Sequence, residues 1–568
     1  YGDRFFDGKL GVMAALCYQH ANRGKEAEAY YLPGKTIYGT QFRTYSTAQT
    51  RTAAHAKFDY KPAPAHKLTW YGGYMDMKEQ QVRDMTDDKS GSTRLRYTHQ
   101  YIFSTTLQGT HHFGSSGLEL EWKGAYSKAL SETPDQAEFN FIGTHIANTG
   151  SATRRWEHND DRDLAGHLDL RYSHGLMTYS VGGMYRDKKR GSFFNEYTFD
   201  STTGTANPQY RGEDWNNFDE LKLKPRPYGN IGDPLNYDAT EQIGAAYAMA
   251  KAKGKRWDAT VGLRAEHTVQ GYTLIFPRDS DPDGEQRYTD ILPSAHFKYE
   301  IHPKGRLHLS YNRSVNRPSF FEIVPYTIIN EDYKEKGNPD LEHTVADNID
   351  LRYEFFPKGS EQVMVGLFYK HLHNPIEYGL INEGQDTYYK PMNLGNATNT
   401  GVEIDVMKYF KCFGVKANYT FTHSRITTSK RTMQGSEVIS VNQSRPLFGQ
   451  AAHVANVSLL YKSSRWHWEG QISYGYTGKR LSDISNWLDD DIWEKGYHRL
   501  DLSLEKGFPK AGITLFAKAS NLLDTPVVRI VGRGDHTATV DTPRDNGYVI
   551  ERKEWHGQSF MLGLRWKL

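Results

Sequence analysis

The sequence predicts an all-β protein: a transmembrane antiparallel β-barrel of about 20 strands, with short turns at one end and long loops at the other. Three observations carry this. The 568 residues are polar and aromatic at once, 38% hydrophobic yet holding 38 Tyr, 26 Phe and 11 Trp, which excludes a disordered chain. No apolar run reaches the ~18 residues a membrane helix needs, and the mean hydropathy is −0.72. Apolar residues instead recur at every second position, as in strands with one face toward lipid. The charge, 70 basic against 68 acidic residues, leaves no electrostatic footprint for a nucleic-acid partner. Two cysteines, Cys17 and Cys412, cannot build a disulfide framework or a four-ligand zinc site.

The alternation is clearest from Trp257. Trp257, Ala259, Val261, Leu263 and Ala265 share one face, and Asp258, Thr260, Gly262, Arg264 and Glu266 the other. Phe560, Leu562, Leu564, Trp566 and Leu568 repeat the pattern at the end of the chain. Less perfect versions run through Val363, Val365, Leu367 and Tyr369, and through Ala455, Val457, Leu459 and Tyr461. A soluble sandwich would alternate too, so the connections must decide.

Short connections come in turn chemistry, where Pro presets φ and Gly admits φ > 0. They begin at Phe6-Asp7-Gly8-Lys9 and continue with Lys61-Pro62-Ala63-Pro64, Gly114-Ser115-Ser116-Gly117, His174-Gly175 and Lys253-Gly254-Lys255. Five more follow at His302–Gly305, Phe356–Gly359, Lys411–Gly414, Lys462–Arg465 and Phe508–Gly512. Between them lie excursions of tens of residues, such as Lys188 to Asp238 and Val315 to Thr344, too long for a compact soluble domain. Ten short turns imply about 20 strands in one unit spanning 1–568, with short periplasmic turns and long outer loops.

Several segments then resemble the barrel of TonB-dependent outer-membrane receptors of the Bacteroidota type. Tyr288-Thr289-Asp290-Ile291-Leu292-Pro293-Ser294 is similar to the family's strand-opening segment. Arg313-Ser314-Val315-Asn316-Arg317-Pro318-Ser319-Phe320 and Gly337-Asn338-Pro339-Asp340-Leu341-Glu342 resemble its paired boxes. Asn374-Pro375-Ile376, Asn396-Ala397 with Gly401-Val402-Glu403, and Asn521-Leu522-Leu523-Asp524 complete the series in order. The resemblance implies a barrel of ~22 strands around an N-terminal plug. On that reading the plug and the first two strands are missing before Tyr1. It also implies an integral protein of the bacterial outer membrane, in contact with its lipid and working with TonB and the inner-membrane complex that energises it. A surface lipoprotein partner is left open. Haem receptors of the family place a His between the two boxes, and Pro318 to Gly337 holds none.

Candidate ligand residues lie in the long loops. Trp487-Leu488-Asp489-Asp490-Asp491-Ile492-Trp493 joins two indoles to three carboxylates. It reads either as a solvated acidic loop or as a ligand mouth, where aromatic faces and a few polar groups grip a solute. Trp487, Asp489, Asp490 and Trp493 are its ligand candidates. Asp214-Trp215-Asn216-Asn217, with Tyr210 and Arg211, carries the same ambiguity. Phe320, which closes the first box, and Phe321 complete the set, although the boxes themselves read first as turn-forming structure.

Asp279-Ser280-Asp281-Pro282-Asp283-Gly284-Glu285 matches the start of a calcium loop. Asp279, Asp281 and Asp283 would offer side chains, Glu285 a backbone carbonyl, and Asp290 would stand at the twelfth position. The competing reading is a solvated acidic loop tip. No other cofactor is required, and no catalytic motif emerges: neither Gly-x-Ser-x-Gly nor His-Glu-x-x-His occurs.

The functional expectation is active, TonB-dependent import of a scarce, bulky nutrient without chemistry on it. A ferric siderophore is the first cargo and an oligosaccharide the second, with a passive porin-like channel as the alternative of another class.

Overall fold

The computed structural model describes residues 1–30, 39–202, 222–225, 235–277, 281–329, 331–383, 386–532 and 543–567. Its wall is an antiparallel meander of 21 strands. The first eight are β1 (Gly2–Phe5), β2 (Leu10–Ala29), β3 (Gln41–Ala63), β4 (His66–Thr86), β5 (Ser90–Phe113), β6 (Leu118–Ile142), β7 (Ala152–His174) and β8 (Met177–Ser201). Next come β9 (Tyr237–Lys253), β10 (Trp257–Leu274), β11 (Asp283–His302), β12 (Gly305–Asn316), β13 (Thr344–Phe355), β14 (Gln362–His373) and β15 (Ala397–Phe410). The last six are β16 (Phe413–Gln434), β17 (His453–Ser463), β18 (Trp468–Thr477), β19 (Tyr497–Phe508), β20 (Ile513–Ser520) and β21 (Ser559–Trp566).

All ten short turns expected from the sequence fall between consecutive wall strands, from β1–β2 to β19–β20. Several need the left-handed backbone: Asp7 and Gly8 have φ of 53° and 81°, Lys411 58° and Gly512 65°. The alternation also holds. Val261 and Leu263 stand 57% and 53% exposed on the outer face of β10, while Glu266, Thr268 and Gln270 are buried on the inner face. Exposed Leu367, Leu459 and Leu562 mark the same outer face on β14, β17 and β21.

Two features go beyond the sequence reading. Many excursions are continued strands rather than loops: β4 and β5, 21 and 24 residues long, are joined by Asp87–Lys89 alone. Since ~9–11 residues cross a bilayer, such strands rise well above it. Second, β21 pairs only with β20, and β2 between Ala15 and Lys25 pairs only with β3 among the described residues. Main-chain groups along that seam have no partner that hydrocarbon could supply.

Among the described residues, the seam is bridged at the mouth alone. Tyr548–Trp555 pairs with Glu26–Ala29 of β2 and also with Val527–Val531. The ribbon continues through Ile492–Glu494 to Arg480–Ser485, which runs parallel to Ile376–Glu383. That strand pairs with Asp386–Asn393, which meets Lys334–Lys336 in parallel, and the latter forms a hairpin with Thr327–Ile329. Pieces of four long connections thus form one cap sheet across the mouth.

Candidate ligand site

The two boxes hold the cap in place. Arg317 leaves β12 and turns back onto the inner face of β10, its Nη2 donating to Glu266 Oε2 at 2.6 Å and its Nε to Thr268 Oγ1 at 3.0 Å. Gln270 Nε2 donates to the Pro318 carbonyl at 2.8 Å. Ser319 and Glu322 then form a reciprocal capping box that starts a one-turn helix, α1 (Phe320–Ile323). The Asn338 amide N–H bonds Glu322 O at 2.7 Å and its side chain donates to Pro391 O at 2.9 Å. Gly337 is required by close approach, because a Cβ there would sit 1.7 Å from the Val324 carbonyl oxygen. Both boxes therefore do structural work.

Phe320 is correspondingly a core residue, 3% exposed among Phe194, Tyr237, Tyr272, Tyr326 and Leu341, and has no face to offer a ligand. Phe321 is half-buried, its ring 4.3 Å from that of Tyr326. Trp487 is stitched to upper β16, where Leu488 N–H bonds Arg431 O at 2.8 Å and Arg431 N–H bonds Asn486 O at 2.8 Å. The three carboxylates diverge: Asp489 is exposed with φ 64°, Asp490 is half-buried, and Asp491 is buried on Lys430 at 2.6 Å. Trp493 lies in the cap ribbon, and Lys479 Nζ sits 4.6 Å from its ring and 4.6 Å from that of Tyr548. Trp493 and Lys479 line a cavity of about 580 Å³ with His423 and Arg425. Trp487 does not line it. Tyr210 and Trp215, with Arg211 and Asp214 to Asn217, lie outside the described residues.

The calcium motif is not brought together around Asp290. β11 begins at Asp283, so Asp283 and Asp290 are separated by seven residues of extended chain, roughly 23 Å at ~3.3 Å each. They also face opposite sides of the strand, and Asp290 Oδ1 is held by His343 Nε2 at 2.9 Å. Asp281, Asp283 and Glu285 line one cavity of about 350 Å³, while Asp279 is outside the described residues. Among the described residues, no three His, Cys, Asp or Glu side chains form a group that could hold a metal.

The strongest concentration of charge was not foreseen. The turn of the Thr327–Ile329/Lys334–Lys336 hairpin carries Glu331 and Asp332 against the inner faces of β3, β4 and β5. Glu331 is met by Arg43 Nη1 at 3.1 Å, Arg94 Nη1 at 3.2 Å and Arg83 Nη1 at 3.5 Å, and accepts from the Tyr45 hydroxyl. Asp332 is met by Arg43 Nη2 at 2.8 Å and, from the cap ribbon, by Arg552 Nη1 at 2.7 Å. Burial alone would raise the Glu331 carboxyl, but the three guanidiniums outweigh it and hold it at about 2. Asp332 is likewise held well below the usual carboxylate range, by Arg43 and Arg552 against its burial. Further along the ribbon Arg529 bonds Asp483 and reaches Glu551 at 2.9 Å. Burial there wins, pushing the Asp483 carboxyl up to about 6. Beside the arginines opens a chamber of about 1,070 Å³, lined by Tyr45, Arg94, Arg96, Glu331, Asp332 and Arg552 among others. Glu331 and Asp332 are adjacent in the sequence, but nothing local points to arginines more than 200 residues away.

A β-barrel wall with an outward apolar face and a bonded cap over its mouth defines an outer-membrane barrel. Residues 111–566 match the model of the outer membrane protein beta-barrel family, and the chain belongs to that family. It is an integral outer-membrane protein with the barrel fold of the TonB-dependent receptors. Among solved structures it is similar to the siderophore receptor PiuA from Acinetobacter baumannii, at 12% identity and TM-score 0.57, over 96% of this chain and 81% of that one. The copper transporter OprC matches at 12% identity and TM-score 0.55, over 96% and 81%. The ferric yersiniabactin uptake receptor FyuA from Yersinia pestis matches at 12% and 0.54, over 96% and 80%. At these identities the likeness is one of fold. No curated protein matches the sequence.

Proposed function

We propose that this protein imports a scarce, bulky nutrient across the outer membrane, energised through TonB and its inner-membrane complex, with a ferric siderophore as cargo. The observation that carries the reading is the cap: four long connections are hydrogen-bonded into one ribbon over the mouth. A passive channel gains nothing from obstructing its own entrance, whereas a receptor needs a structured mouth that meets its ligand. The chambers beneath, about 1,070 and 580 Å³, are of the size that holds a chelate. They are lined by cations, carboxylates and rings. The similar folds named as siderophore and ferric-chelate receptors support the same cargo. Growth of an iron-starved strain on a ferric siderophore, carried by this protein as its sole receptor, tests the reading. Rescue is expected only with TonB present. Rescue that persists without TonB would show a passive channel instead.

A further inference from the structure

We propose that Arg43, Arg83, Arg94 and Arg552 form a seat for a compact polycarboxylate solute, and that Glu331 and Asp332 fill it as tethered surrogates until the solute displaces them. The proposal rests on the import reading for the side from which the solute arrives.

The balance of forces in the hairpin points this way. Its strands are only three residues each, too short to hold themselves in place. Away from the tip it is held by Ile328 packed on the core around Tyr326 and by Tyr333 packed on Leu380, Ile492, Val531 and Val549, with Lys334–Asp386 and Lys336–Glu383 added at 2.6 Å, all four side chains more than a third exposed. Such pairs contribute little. The tip is the opposite case. Arg43 is wholly buried and Arg83 nearly so, and guanidiniums from β3, β4, β5 and the cap ribbon converge on two adjacent carboxylates. Desolvating that many cations is a costly addition to a turn whose flanks are already packed on apolar side chains. It is the chemistry that reads planar carboxylates, because the guanidinium fork matches their geometry.

The neighbouring chamber makes the seat reachable. Its walls carry seven basic side chains against four acidic ones, and two of the four are Glu331 and Asp332 themselves. When the tip swings out, the chamber becomes strongly cationic, with Arg94 and Arg552 on its wall. An arriving solute with two or three carboxylates reproduces the bonds the tip gives up. The tip competes at the high effective concentration of a tethered group, so only a solute that engages several guanidiniums together displaces it.

Citrate is the probe, titrated calorimetrically into the detergent-solubilised protein. The variant E331Q/D332N removes the competing charges and is expected to bind citrate at least ~10-fold more tightly than wild type. K334Q/K336Q loosens the hairpin without touching the seat, and should show a smaller gain in the same direction even if the first variant folds poorly. Adding Arg94→Gln to either variant should cancel the gain. Equal citrate affinity in wild type and both hairpin variants, or a gain that survives Arg94→Gln, would overturn the proposal. No step of this assay uses TonB. Failure here leaves the import reading standing, and citrate binding without TonB-dependent uptake would sink the import reading alone.

Discussion

The wall and the cap are both β-structure, yet they are held by different forces. In the wall each strand is paired along its length with its neighbour in sequence, as in β6–β7 and β10–β11, and side chains sort by a period of two between lipid and lumen. In the cap, strands of three to eight residues from distant connections meet through a few bonds, two of the junctions being parallel. A small apolar cluster of Leu380, Ile492, Val531 and Val549 joins them, and buried charge adds to it: Arg445 with Glu377, Lys430 with Asp491, and the arginines around Glu331 and Asp332. The lesson is one of division of labour. A wall in hydrocarbon must satisfy its backbone and can ignore distant side chains, whereas a cap in water can be built from side-chain pairs that a ligand is able to exchange.

The largest effect should come from breaking one of the cap's buried pairs. Arg445 and Glu377 are each 2% exposed and joined by two bonds of 3.0 Å. Arg445→Ala leaves a carboxylate without its cation and should cost about 3–5 kcal/mol, read as early protease cleavage in the cap while the wall stays resistant. The wall is broken differently. Val261→Arg or Leu263→Arg puts a cation against lipid at a cost of roughly 2–4 kcal/mol near mid-bilayer, while Thr260→Ala on the inner face is mild. The heat-modifiable fraction on gels measures both, and equal losses on the two faces would contradict the assignment.

Gly337→Ala comes next, at about 1–3 kcal/mol, because the new Cβ collides with the Val324 carbonyl and only the box region must shift. Acidification should give the smallest effect near neutrality. Glu331 is held at about 2 against an ordinary 4.5. A carboxyl whose folded value is depressed contributes stability that is complete above about 4.5 and is lost as pH falls toward 2. Hairpin release, followed by protease access at Thr327–Lys336, should therefore be absent at pH 6 and grow below pH ~4.

The sequence allowed the wall to be read almost whole. Alternation at Trp257–Glu266 placed the faces correctly, and Pro and Gly at His302–Gly305 or Phe508–Gly512 placed turns, because both are local consequences of backbone geometry. The resemblance carried by Arg317–Pro318 and Gly337–Asn338 led to the right barrel. The sites were harder to read. Trp493 does line a cavity, but its partner Lys479 and the ring of Tyr548 are not adjacent to it in sequence. Phe320 looked available and is core, because α1 turns it inward over Tyr237 and Tyr326. Asp290 matched a twelve-residue loop by spacing, yet β11 runs straight through that loop and bonds the carboxylate to His343. Glu331 and Asp332 acquire their meaning from Arg43, 288 residues from Glu331, and no local pattern encodes a pairing across that distance.

The claim that charge ties the cap's hairpin to the wall without stabilising the wall itself is tested most directly by hydrogen exchange on wild type and Arg43→Ala, resolved by segment. Arg43 belongs to β3 but acts on the hairpin through Glu331 and Asp332. The variant should accelerate exchange at Thr327–Lys336 and in Asp386–Asn393, which pairs with that hairpin, and leave β10 and β11 as slow as before. Acceleration spread evenly over wall and cap, or none at the hairpin, would contradict it.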